Sequence, residues 1–126
     1  MITIVGGIIL AVVGLFALPA YAQVSEQSWC AKKVHGNIEA TKRDRPEIYR
    51  TMKDYTFEWS RSAQACVMIV QYAVHQTGKP NMVQILAINA VTMQNMEGYD
   101  NIYLVPENDR QAQMDAVNFL FKRWSR

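Results

Sequence analysis

Residues 65–92 read ACVMIVQYAVHQTGKPNMVQILAINAVT, two apolar runs separated by a turn that carries Gly78 and Pro80. In the first run, 65–75, Cys66, Met68, Val70, Tyr72 and Val74 fall on one face of an extended chain. The second run, 82–92, has similar length and character. Two such strands around a short Gly-containing loop predict an antiparallel hairpin.

Working outward, Tyr55-Thr56-Phe57-Glu58-Trp59-Ser60 alternates aromatic with polar residues. That two-residue period predicts a half-buried strand, with Glu58 turned to solvent beside Thr56 and Ser60. Ile102-Tyr103-Leu104-Val105, closed by Pro106, predicts a short fourth strand, after turn residues at Gly98 and Asp100-Asn101. Beyond it, Val117, Leu120, Phe121 and Trp124 recur at helical spacing. An amphipathic helix over about 108–124 follows, with Asn108 and Gln111 placed as a capping box and Lys122 and Arg123 suited to its C-terminal dipole.

On the N-terminal side, Cys30, Val34 and Ile38 recur at four-residue steps, one helical stripe. Gly36-Asn37 predicts an end to that helix. Asp44 and Pro46 mark the start of a second, short one, with Ile48, Tyr49 and Met52 as its apolar face. The expected architecture is an α+β two-layer domain. An antiparallel sheet of three to four strands is packed on one face by N-terminal helices and the C-terminal amphipathic helix. At 126 residues one domain is the natural count, over 23–126.

The first 22 residues are read separately. Residues 2–18, ITIVGGIILAVVGLFAL, are apolar and uncharged, and Pro19 and Ala20-Tyr21-Ala22 follow. Small residues at the first and third positions of that triplet predict a secretory signal cut before Gln23. An uncleaved anchor is the alternative, since seventeen such residues just span a bilayer and Lys32, Lys33, Lys42 and Arg43 lie beyond. The expected location is periplasmic or secreted, and single-pass membrane-anchored on the alternative. Two cysteines in an exported chain predict a Cys30–Cys66 disulfide, worth about 4 kcal/mol on the chain-entropy model.

Catalytic patterns are sparse. His35 and Glu39 lie four apart and share a helical face, which is two metal ligands and not a site. His75 stands at the end of the hairpin's first strand. Phosphate loops, nucleophile elbows and zinc-protease motifs do not occur in the sequence. The chain calls for no cofactor and no metal.

Binding candidates are clearer. Tyr55, Phe57 and Trp59 form an aromatic strip suited to stacking on a sugar or gripping a peptide, or to serving as the core face of an edge strand. Charge is segregated: residues 31–53 hold seven Lys/Arg against three Asp/Glu, and residues 54–121 hold three against seven. Lys42, Arg43 and Arg45 make the basic flank a second candidate surface, toward anionic lipid or cell-wall polymer. With a net charge of only +2, nucleic acid is not expected as a partner. The expected function is a small exported, non-catalytic binding or accessory protein for a protein or an envelope polymer. The alternatives are a small hydrolase or metal-dependent enzyme using His35, Glu39 and His75, and a membrane-anchored accessory subunit. Membrane is a partner only if the leader is kept.

Overall fold

The computed structural model of the chain describes residues 26–97 and 101–126. The apolar leader, its cleavage site, and Gly98 and Asp100 of the predicted turn lie outside the described residues. Helix α1 occupies 26–44, α2 is the single turn Pro46–Tyr49, and strands β1 (Met52–Ser60), β2 (Ala65–Val74), β3 (Met82–Asn89) and β4 (Ile102–Pro106) precede α3 (Arg110–Trp124). The four strands pair in chain order as an antiparallel meander, so β1 and β4 are its two edges. The α+β class, the hairpin and the flanking helices are as the sequence predicts.

The layering differs. One cluster joins Cys30, Val34 and Ile38 of α1 to Cys66, Met68, Val70 and Ile88. A second joins Ala116, Leu120 and Trp124 of α3 to Val67, Ile69, Val83, Ile85 and Ala87. Alternate residues of β2 and β3 thus bury in opposite directions, and the helices lie on opposite faces, giving three layers and not two. The unbroken apolar run Cys66-Val67-Met68-Ile69-Val70 has the composition of a strand covered on both sides.

Four boundaries moved, each for a local reason. Helix α1 continues through Gly36-Asn37 to residue 44. Burial of the Cys30, Val34, Ile38 stripe outweighs the roughly 1 kcal/mol cost of a mid-helix glycine. Strand β1 starts at Met52, three residues early, through a register shift between Met52 and Asp54. Strand β3 stops at Asn89, because its side-chain Oδ1 accepts from the Val91 and Thr92 N–H groups and turns the chain back. Asp109, not Asn108, caps α3, its Oδ1 accepting from Ala112 N at 3.0 Å. Within α3, Leu120 and Trp124 are buried while Val117 and Phe121 flank the core, so Phe121 contributes less than its spacing implied.

Two devices hold the helices. Cys30 and Cys66 are disulfide-bonded, both buried, with Cα atoms 5.3 Å apart. On the other face, buried Asn101 donates to Met96 O at 2.8 Å and accepts from the Trp124 indole at 2.9 Å and from Arg123 at 3.2 Å. Among the described residues no helix is long and apolar enough to cross a membrane.

Candidate functional site

The aromatic strip lies where β1 runs along the sheet edge beneath α1. Tyr55, Phe57 and Trp59 are half-buried and pack on the disulfide-side cluster, so much of their surface belongs to the core. What remains open is completed by α1. Trp29, 42% exposed, meets Trp59 edge to face at 5.9 Å, and Lys33 Nζ stands 5.5 Å over the Trp29 ring. His35 contacts Phe57 in the same manner at 6.4 Å.

Of these rings, Phe57 and Trp59 border an open cleft of about 750 Å³, lined also by Gln27, Ser28, Ala31, Glu58, Arg61, Ser125 and Arg126, and Trp29 stands beside it against Trp59. The chain end closes one side, where Arg126 O accepts from Ser62 N at 2.9 Å. The Gln27 carboxamide reaches across to accept the Trp59 backbone N–H at 3.0 Å. Glu58 is half-buried here rather than fully solvated, and burial pushes its carboxyl above the usual glutamate range. Ser60, expected beside it in solvent, is fully buried, accepting from Ala63 N. Aromatic faces, two arginines, a carboxyl and amide groups around one concavity are the ingredients of a binding site for a polar ligand with an apolar side. Its volume lies in the usual range for ligand clefts.

The basic flank is less available than the sequence suggested. Arg43 forks onto Asp44 at 3.0 and 3.1 Å, and Arg45 pairs with Glu47 at 2.8 Å. These bonds hold both carboxyls below their usual range. Lys42 lies 5.7 Å over the Tyr49 ring. The flank is therefore a solvated surface with its charges largely matched in place.

The candidate catalytic residues do not converge. His35 and Glu39 share a shallow depression with Lys53 and Asp54, bounded by Tyr49 and Tyr55. His75 is outside it, its Nε2 3.1 Å from Glu107 Oε2, whose other oxygen lies 3.6 Å from Lys53. Among the described residues no three His, Cys, Asp or Glu side chains are grouped to hold a metal ion. Comparison with family models, with curated proteins and with solved structures finds no match to this chain.

Sequence reasoning missed Gln27, Arg61 and Arg126 in the cleft, and Trp29 beside it. Trp29 had a signal: it sits four residues before Lys33 on the helix carrying Cys30, a spacing that puts a cation over a ring. Gln27 and Arg126 had none, since their roles depend on contacts made across the fold.

Proposed function

We propose that this chain is a small exported, non-catalytic binding or accessory module that takes a protein segment or an envelope polymer in the cleft between α1 and β1. The observation that carries this reading is the pairing of Phe57 and Trp59 with Arg61 and Arg126 in one concavity, with the exposed Trp29 packed edge to face on Trp59 beside it. Tryptophan, a large ring with one N–H donor, is a residue type enriched among the anchors at the centres of binding interfaces. The disulfide supports action in an oxidising compartment, reached by a leader cleaved before Gln23. The scattered histidines favour binding over hydrolysis.

The test uses the phenotype of deletion and capture of envelope components by the exported protein. Trp29→Ala should weaken capture by about tenfold or more while leaving the circular dichroism spectrum unchanged, as aromatic anchors do at binding centres. His35→Gln and His75→Gln should retain capture and phenotype. Normal capture by Trp29→Ala, or loss of function from one histidine substitution in a folded protein, would overturn the reading.

A further inference from the structure

The two edges of the sheet are finished differently. On β1, the outward N–H of Trp59 is taken by Gln27 and that of Tyr55 by Asp54 Oδ1 at 2.8 Å. Strand β4 has no such covering among the described residues. Ala87 N donates to Asn101 O, which makes Ile85–Tyr103 and Val83–Val105 the hydrogen-bonded pairs of the β3–β4 ladder. The N–H and C=O groups of Ile102 and Leu104 therefore point away from the sheet, and among the described residues nothing meets them. Their side chains are 47% and 57% exposed. On the opposite face of the same edge, Phe119 of α3 is 50% exposed and packs edge to face on Tyr103 at 6.0 Å. An edge that is both unpaired and apolar on its two sides is a strand-pairing surface.

We propose that β4 pairs with β4 of a second copy of this chain, antiparallel about a two-fold axis through Tyr103, forming a continuous eight-stranded sheet. The argument for a second copy is self-complementarity. With Ile102 opposite Leu104 of the other copy, and the reverse, all four open groups on each copy are bonded at once. Pro106 has no N–H, and its carbonyl already accepts from Asp109 N and Gln113, so pairing stops there and the register is set. The same axis lays the two α3 helices side by side and antiparallel, with the Phe119 rings near the axis. Helix α3 carries Asp115 before Phe119 and Lys122 and Arg123 after it, so the acid of one copy faces the bases of the other. The cation of Arg123 already lies 4.6 Å over the Phe119 ring, at the surface the partner would cover. An isologous contact of this kind is the commonest protein assembly.

The experiment is sedimentation of the exported, disulfide-bonded protein over roughly 1–100 μM, a range that brackets dissociation constants of ordinary dimers. The expected result is a concentration-dependent equilibrium between one and two chain masses. Leu104→Pro removes an outward N–H and no bond within the molecule, and should weaken the dimer by about tenfold or more. Leu104→Lys, which keeps the ladder groups and adds a charge at the axis, should do the same if the proline variant fails to fold. Asp115→Lys should weaken it less, and Asp115→Lys with Lys122→Glu should restore it. A monomer throughout the range overturns the proposal. So does a dimer indifferent to both Leu104 substitutions, or larger species with no dimer among them. Trp29→Ala leaves this equilibrium unchanged, which separates it from the cleft's own test.

Discussion

The two faces of the sheet are closed by different means. On one, α1 is tied by the buried Cys30–Cys66 bond and an apolar stripe. On the other, α3 is held by packing and by one buried amide, Asn101, gripping the Trp124 indole. A disulfide acts on the unfolded chain as much as on the folded one, whereas a buried hydrogen bond acts only where its partners meet. The first kind of closure is insensitive to local fit. The second depends on three side chains arriving together.

The comparison can be broken hardest at the covalent side. Replacing Cys30 and Cys66 by Ala should lower unfolding free energy by roughly 2–5 kcal/mol in denaturant titrations. Hydrogen exchange should then show α1 opening before α3. Asn101→Ala should cost about 2 kcal/mol, because it strands the Trp124 N–H in the interior, and should reverse that order of opening. If both variants open the same helix first, the faces are not independent.

Smaller changes sharpen the contrast. Gly36→Ala should raise stability by about 0.5–1 kcal/mol, since Gly36 is helical and a Cβ there meets nothing within 4 Å. That gain belongs to α1 and should appear in its exchange rates alone. The smallest effect is expected at Glu58. Burial raises its folded-state pKa, so the folded chain holds the proton more tightly than the unfolded one. Its contribution is most favourable below the unfolded value of about 4.3 and is lost as pH rises through the folded value. Glu58→Gln should therefore raise the denaturant midpoint slightly at pH 7, the effect kept small because the half-buried carboxyl still reaches solvent. The gain should vanish near pH 4.

The legibility of these features in the sequence follows how local they are. The hairpin, β1 and α3 were readable because their periods lie within ten or fifteen consecutive residues. The three-layer arrangement was written only in the missing alternation of Cys66 to Val70, a signal that says a strand is buried twice but not by what. Gly36 and Asn37 misled because a breaker residue states a local cost, while the disulfide and the Val34, Ile38 contacts that offset it come from β2. Asn101 sits in a stretch of turn-like composition, and its importance depends on Trp124 more than twenty positions away. In the cleft, the strip on β1 was visible and its second wall was not. Half of that wall comes from the first turns of α1 and the chain end.

The Gln27 side chain has a consequence for how far such sheets can grow. A meander with two open edges has a valence of two, and copies of it add without limit into ribbons. By occupying the Trp59 N–H, Gln27, together with Asp54 at Tyr55, weakens one of those valences. Pairing through β4 then leaves outer margins on which two of the outward N–H groups of each β1 are already taken. One carboxamide at the start of a helix thus biases the assembly toward a closed particle over an open-ended polymer.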